Sequence, residues 1–339
     1  MLRSRRFWIG TSVSLVFIAL LLWKTNPQQL WDSWRHADYR WLLLAIAIEM
    51  FGILVRALRW RYILLSRVDL SALQLFPVLV IGYMANNVLP ARAGELVRAY
   101  VLGERYRVSK MFALGTVAVE RLFDGLALLG ILLATALTLG VDSVLRDLAL
   151  VMVVVFAVAL AIFVIVLASP KRSEALALWL VSLTPQRFHE RASELALAFL
   201  SGLGALRHPR LLGIVAVTSI AAWMIEGLVF EVIAHALGIN PGYGYSLMAM
   251  SAANLAITAP SSQGGIGPYE FFAARAVILT GVSASAAAAF ALAAHAVIIL
   301  PVTALGFIYL WKINLSLSQM MRREQAAPLL DEQAALPEA

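Results

Sequence analysis

The sequence predicts an all-α polytopic membrane protein: about six spanning helices plus two re-entrant helical hairpins related as an inverted repeat. Three observations predict it. Hydrophobic residues make up 61% of the 339 residues and charged residues 14%, against roughly 25% charged in an ordinary soluble domain. Apolar runs of bilayer length recur along the chain. Two further apolar stretches break near their middles around Gly, Pro and polar residues.

Runs long enough for a hydrocarbon core, about 20 residues, occupy 7–23, 41–63, 111–139, 148–168, 211–237 and 286–311. The first begins with basic residues, as a secretory signal does. It runs into Trp23 and Lys24 without a small-residue cleavage site, so it reads as a retained anchor helix. Trp8, Trp23, Trp41, Trp60 and Trp311 sit at run ends, where amphipathic rings favour the headgroup level.

The interrupted stretches are 72–102 and 246–281. In the first, FPVLVIGYMANNVLP precedes ARAGELVRAYVL; in the second, SLMAMSAANLAITAP precedes SSQGGIGPYEFFAARAVIL. Each half is too short to cross a bilayer but suits one arm of a re-entrant hairpin. The two stretches share Ala-Asn, then Pro, Gly and Glu, then an apolar helix carrying an Arg. The likeness continues into the runs that follow, which both have Val-Ser before the helix and Leu-Gly near its end, as an internal repeat would. Paired, interrupted segments in matching halves are the expected frame of a binding site near the membrane midplane.

Charge placement sets the expected orientation. With both stretches returning to their own side, Arg3, Arg5, Arg6, Arg59, Arg61, Arg67, Arg98, Arg105, Arg107, Lys110, Lys171, Arg172, Arg187, Arg191, Arg207, Arg210, Lys312, Arg322 and Arg323 share one side. Lys24, Arg35, Arg40 and Arg146 occupy the other. Nineteen against four makes the crowded side cytoplasmic, with both termini inside a bacterial inner membrane. The first hairpin then enters from the cytoplasm and the second from outside. Residues 169–210 read as cytoplasmic amphipathic helices suited to an anionic leaflet. One transmembrane domain covers 1–315, and 316–339 is a polar, disordered cytoplasmic tail.

Composition also excludes chemistries. With no cysteine there is no disulfide framework, thiolate metal site or cysteine nucleophile. The net charge of +7 lies in short loops rather than along one stripe, so nucleic acid is not an expected partner. No His/Glu spacing suits a metal and no Ser-His-Asp arrangement is discernible, so no catalytic residue, metal or cofactor is expected. The Gly264 region lacks the trailing Lys of a nucleotide-binding P-loop.

The candidate substrate-binding residues are the polar ones at bilayer depth. Asn87, Pro90, Arg92, Gly94 and Glu95 stand at the first break. A helix starting near Ala91 would present free N–H groups beside the Arg92 charge, a fit for a lipid phosphate. Alternatively, Arg92 and Glu95 neutralise each other. Gly264, Gly265 and Gly267 of the second break either cradle phosphate with backbone amides or serve the turn alone. Arg98, Asn254 and Glu270 lie close by in sequence. Glu120 and Asp124 are one turn apart with Arg121 beside them, and intramembrane carboxylates mark functional paths by default. Glu49 and Arg56 share a helix face, and Glu226, Glu231 and His235 follow one another along 211–237. His235 and His295 read as packing or hydrogen-bonding residues.

GYMANNVLPARAGELVRAYVL, TVAVERLFDGLALL, the RALRW of Arg56 to Trp60 and APSSQGGIGPYEFFAARAV, in this order and spacing, resemble the lysylphosphatidylglycerol synthase transmembrane family of flippase-like proteins, over about residues 7 to 315. The resemblance implies a lipid-handling protein similar to the N-terminal flippase part of the multiple peptide resistance factor. It implies a phosphate-containing phospholipid or glycolipid as substrate, with a membrane-embedded transferase or accessory subunit of a glycolipid pathway as the other reading. A homo-oligomer and a cytoplasmic lipid-synthesis enzyme are the further partners considered. No soluble aminoacyl-transfer domain is recognisable up to Ala339, so synthesis of lysylphosphatidylglycerol by this chain alone is not expected.

Overall fold

A computed structural model describes residues 5–65, 67–89, 93–204, 209–258 and 262–313. Among them lie thirteen α-helices: α1 Arg5–Leu22, α2 Pro27–Arg35, α3 Tyr39–Leu64, α4 Ala72–Val88, α5 Gly94–Tyr106, α6 Lys110–Leu139, α7 Ser143–Ala168, α8 Pro170–Ser182, α9 His189–Leu203, α10 Pro209–Ala236, α11 Tyr243–Ala256, α12 Pro268–Ile278 and α13 Ala284–Lys312. Five of them, α3, α6, α7, α10 and α13, are long and apolar enough to cross a membrane. The expected sixth, 7–23, is helical from Arg5 to Leu22, but its span Thr11–Leu22 falls among the shorter apolar helices.

Local chemistry sets the boundaries. Asp38, Ser71, Ser109, Asp142 and Ser283 each accept a backbone N–H at the start of α3, α4, α6, α7 and α13, which satisfies donors that a helix start leaves open. Ser71 and Gln74 form a reciprocal capping box. Arg107, at φ 54°, ends α5 in the left-handed region.

Both interrupted stretches are helix–break–helix units, and their arms pack together, α4 on α5 and α11 on α12. The arms approach closely at glycine: a Cβ on Gly94 would lie 2.1 Å from the Gly82 carbonyl oxygen. The exiting arm of the first unit starts at Gly94 rather than near Ala91, and the amide of Gly94 already donates to Asn86 Oδ1 at 2.8 Å.

The packing repeats under an exchange of halves. Helix α3 pairs with α10, the helix that precedes the second unit. Helix α4 packs on α13, and its counterpart α11 packs on α6; α5 on α6 matches α12 on α13. Helix ends gather in two layers. In one, the Asp38 amide donates to the Ala236 carbonyl at 2.8 Å, the Asn26 amide to Ser285 Oγ at 2.9 Å, and Arg275 pairs with Asp142. In the other, Tyr106 donates to the Gln74 carbonyl at 3.2 Å and Arg67 lies 6.0 Å from the Phe112 ring. The first unit starts and finishes in the second layer; the second unit starts and finishes in the first.

Residues 169–210 hold α8 and α9. Helix α9 docks on the start of α6 where Gly115 faces Gly202; a Cβ on Gly202 would lie 2.9 Å from the Gly115 Cα. Helix α7 keeps only 17% of its apolar window buried, which leaves Leu150, Val154, Val158 and Ile162 on its outer surface.

Two placements correct the sequence reading. Trp60 is fully buried, not at an interface, and Arg59 and Arg98 are 0% and 3% exposed rather than loop cations. Without these two, the bias expected from the sequence is seventeen against four, with the same sign. The tail 316–339 lies outside the described residues.

Gly306 lets α13 meet α4: an added Cβ would stand 2.3 Å from the Met84 Cβ, whereas one on Gly130 meets nothing within 4 Å. Gly306→Leu is expected to destabilise by about 1–3 kcal/mol through overpacking, whereas Gly130→Ala is expected to be neutral or stabilising by up to about 1 kcal/mol. Thermal unfolding in detergent would measure both.

Candidate functional site

Between the two halves lies a buried ionic cluster. Arg59 of α3 has no exposed surface and donates to Asp124 Oδ1 at 2.5 Å and Oδ2 at 3.2 Å, to Glu120 Oε1 at 3.0 Å and to Ser219 Oγ at 2.8 Å. One guanidinium therefore ties α3 to α6 and α10. Arg98 of α5 pairs with the other oxygen of Glu120 and lies 3.5 Å from the centroid of the Trp60 ring, while Trp60 Nε1 donates to Thr116 at 3.0 Å. Both are charge-assisted or cation–π contacts shielded from solvent, where each is stronger than at a surface.

A second group lies on the α3–α10 seam. Arg56 donates to Glu226 Oε2 at 2.5 Å and stacks 4.7 Å from the Trp223 ring centre, and Asn254 Nδ2 donates to the other Glu226 oxygen at 2.8 Å. Glu49 stands 3.9 Å from Arg56. Trp223 Nε1 donates to Asp124 at 3.0 Å and so links the two groups. Four arginines, Arg56, Arg59, Arg98 and Arg121, face four carboxylates, Glu49, Glu120, Asp124 and Glu226. Each buried arginine thus has at least one carboxylate within 4 Å, which buried charge requires.

These groups wall a cavity of about 150 Å³. Its floor is Glu49, Arg56, Arg121, Asp124, Trp223 and Glu226, and the ends of both interrupted units close over it: Asn86 and Asn87 from α4, Asn254 and Ile257 from α11, and Gly264 from the second tip. The tips touch. A Cβ on Gly264 would lie 3.9 Å from the Asn87 carbonyl oxygen and 3.3 Å from Ile299. The lining falls near helix mid-points: Asp124 is the fifteenth of thirty residues in α6 and Ile299 the sixteenth of twenty-nine in α13.

Glycine geometry shapes the second tip. Gly264, Gly265 and Gly267 all have positive φ, at 72°, 79° and 103°, so the turn needs them. The Gly265 amide donates to the Ser262 carbonyl at 3.1 Å and the Gly267 amide to Glu270 Oε2 at 2.6 Å. Two of the three amides are thus spent inside the turn, and of the two readings of these glycines the conformational one has direct geometric support. Glu270 is further bound by His295 Nδ1 at 2.5 Å, and His295 Nε2 lies 3.0 Å from the Gly264 carbonyl. This Glu270–His295 pair joins α12 to α13 as Arg98–Glu120 joins α5 to α6.

Of the candidate residues, Asn87, Arg121, Asp124, Asn254 and Gly264 line the cavity. Gly94 and Glu95 are held behind it, Glu95 accepting from Asn86 Nδ2 at 3.3 Å. Arg98, Glu120, Gly265, Gly267 and Glu270 form the supporting layer. Pro90 and Arg92 lie outside the described residues. Glu231 and His235 turn away, Glu231 to Ser246 at 2.6 Å and His235 to the Trp41 ring at 4.5 Å.

Arg59, Tyr83, Asn86, Trp223, Tyr269 and His295 were not singled out as site residues from the sequence. Arg59 could have been found: RALRW places Arg56 and Arg59 one turn apart inside an apolar run. Tyr269 and His295, stacked with ring centroids 4.1 Å apart, carry no such local signal.

An all-helical membrane protein with a cavity lined by charged side chains between two matching halves is the class these features define. The lysylphosphatidylglycerol synthase TM region model matches residues 7–306, and the chain belongs to that family. It is 28% identical over 320 residues to the glycosyltransferase AglD of Haloferax volcanii, covering 85% of this chain and 51% of that protein. The chain thus spans about half the length of that relative. It is also 25% identical over 327 residues to a UPF0104 membrane protein of Methanothermobacter thermautotrophicus, covering 90% of this chain and 92% of the relative. A UPF0104 membrane protein of Methanocaldococcus jannaschii is 23% identical over 186 residues, 55% of this chain and 75% of the relative. No solved structure matches the chain.

Removing one member of the cluster strands the rest. Arg59→Met is expected to destabilise by about 3–5 kcal/mol, because Glu120 and Asp124 stay buried without it. Adding Asp124→Asn to Arg59→Met should recover part of that loss, which detergent unfolding of the single and double variants would reveal.

Proposed function

We propose that the chain is a lipid transporter that carries a phosphate-containing phospholipid or glycolipid headgroup through the cavity between α4–α5 and α11–α12, with the acyl chains left in the bilayer. In this reading α1 is a sixth crossing and the two interrupted units are re-entrant hairpins that enter from opposite faces. The observation that carries it is the cavity, in which the charged groups Glu49, Arg56, Arg121, Asp124 and Glu226 meet an apolar wall of Ile298, Ile299 and Val302 at helix mid-depth, with Asn87 and Gly264 of the two interrupted units at its edge. Depth is supported from α1 as well: Ser14, the tenth of its eighteen residues, accepts from the Ser262 amide at 3.0 Å, beside the second tip. Irregular backbone at such depth is tolerated where it is packed in protein or faces a polar cavity. The surplus of cationic residues in the loops of one side supports a reading with both termini on the cytoplasmic side of a cytoplasmic membrane.

Within the cavity, Arg121 is the arginine best placed to meet phosphate. Its side chain is 44% exposed and pairs with Asp124 at 3.3 Å, whereas the side chains of Arg56, Arg59 and Arg98 are themselves buried between their carboxylates. Asn87 and Asn254 add neutral hydrogen-bonding capacity around it. The likeness to a protein named a glycosyltransferase favours one second reading, an embedded component of a glycolipid pathway in which the carboxylates act as acid or base.

In vesicles reconstituted with the purified protein, Arg121→Ala is expected to slow movement of a labelled phospholipid about tenfold, a loss of about 1.4 kcal/mol. Unchanged rates would remove Arg121 from the transport path. Conversion of a labelled lipid in detergent, where translocation has no meaning, would favour the enzymatic reading instead.

A further inference from the structure

We propose that Glu49 is a proton-binding site whose occupancy is linked to binding of an anionic group in the central cavity. The second half of this inference rests on the phosphate-lipid reading; the first does not.

The geometry singles out Glu49 among the buried carboxylates. Two acids compete for Arg56, one from its own helix and one from α10. Glu226 holds it, with Oε2 on the guanidinium at 2.5 Å and Oε1 accepting from Asn254 at 2.8 Å, so both Glu226 oxygens are satisfied as the carboxylate. Glu49 is left 3.9 Å from Arg56, beyond hydrogen-bond reach, and its Oε2 has no hydrogen-bond partner among the described residues. It is 3% exposed and lines the cavity. An ionised carboxylate in that position is desolvated, with one oxygen unbonded and the other at a long distance from a cation that Glu226 holds; the neutral acid removes the charge and gains a donor.

The surroundings do not supply a second cation for it. From α4 and α12 the cavity receives the phenols Tyr83 and Tyr269, and the Tyr269 hydroxyl is buried and also without a partner among the described residues. His295 of α13 is committed to Glu270 and the Gly264 carbonyl. Arg121 of α6 is paired with Asp124, itself held by Arg59. A proton is therefore the positive charge that Glu49 takes when no cationic ligand is present.

The same proton changes what the cavity prefers. Neutralising Glu49 makes the lining more positive by one unit and leaves Arg56 with one acidic neighbour instead of two. Both changes favour an anion, so anion binding and proton uptake must assist each other by linkage. Affinity for a phosphate group rises as pH falls, by up to about tenfold per pH unit for one linked proton.

The test uses the full chain in nanodiscs, with short-chain phosphatidylglycerol and inorganic phosphate as separate probes and infrared spectroscopy of the protonated-carboxyl band. The wild type is expected to show a carboxyl band that disappears as pH rises, and lipid binding that weakens over the same range. Glu49→Gln should lack that band and bind with the low-pH affinity throughout. Glu226→Gln frees Arg56 for Glu49, so its band should disappear at lower pH than in the wild type; this arm decides the matter if Glu49→Gln fails to fold. A band that persists in Glu49→Gln, or an unmoved band in Glu226→Gln, overturns the proposal. Lipid binding that is independent of pH, without a Glu49 band, overturns it and leaves the lipid reading standing. A titrating Glu49 band without binding of either probe upholds the proton site and removes the lipid reading; phosphate binding without lipid binding assigns the anion site to a soluble ligand.

Discussion

Arg59 ends up with no solvent exposure between three helices, and its four hydrogen bonds run to Glu120, Asp124 and Ser219. A guanidinium so placed cannot be released from one partner without leaving charge in a medium that does not solvate it. Helices α3, α6 and α10 are thereby held at fixed spacing and register. Trp60 and Trp223 extend the same constraint, one beneath Arg98 and hydrogen-bonded to Thr116, the other beneath Arg56 and hydrogen-bonded to Asp124. Between apolar helices in lipid there is little hydrophobic driving force, so packing and polar contacts of this kind carry the association.

The cavity follows from that spacing. Long helices held apart by an arginine network leave room near their mid-points, and the short arms α4, α5, α11 and α12 pack into it without closing it. Glycine permits the fit: Gly82 against Gly94 within the first unit, Gly306 against Met84 where α4 meets α13, and Gly267 against the Ser14 backbone where the second tip meets α1. The exchange of partners, α4 with α13 and α11 with α6, means that neither half encloses the cavity alone. Each half also contributes one buried pair between its exiting arm and the next helix, Arg98–Glu120 and Glu270–His295.

Much of this was legible in the sequence because hydrocarbon imposes strong rules. Apolar length marked α3, α6, α7, α10 and α13, and the two breaks were visible as Asn, Pro and Gly inside apolar stretches. Asn87, Arg121, Asp124 and Asn254 were identifiable as polar groups in such stretches, and Gly264 as a glycine at a break. What stayed hidden depends on tertiary proximity. Arg59 and Arg98 look like loop cations beside Arg61 and Arg105, and only the partners brought by α6 make their burial tolerable. Trp60 looks like an interfacial anchor until Arg98 is seen above it. His295 gains its meaning from Glu270, twenty-five residues away, a spacing that no helix period connects.

The central claim is that the two interrupted units meet at their tips while their starting ends lie on opposite faces. The chain contains no cysteine, so paired cysteines can test this in membranes with a cross-linker much shorter than the roughly 30 Å of hydrocarbon. Asn87→Cys with Gln263→Cys should cross-link efficiently, and Leu73→Cys with Tyr245→Cys should not. Failure of the tip pair to react, or reaction of the end pair, would mean that the units do not meet in mid-membrane, and the cavity between them would lose its basis.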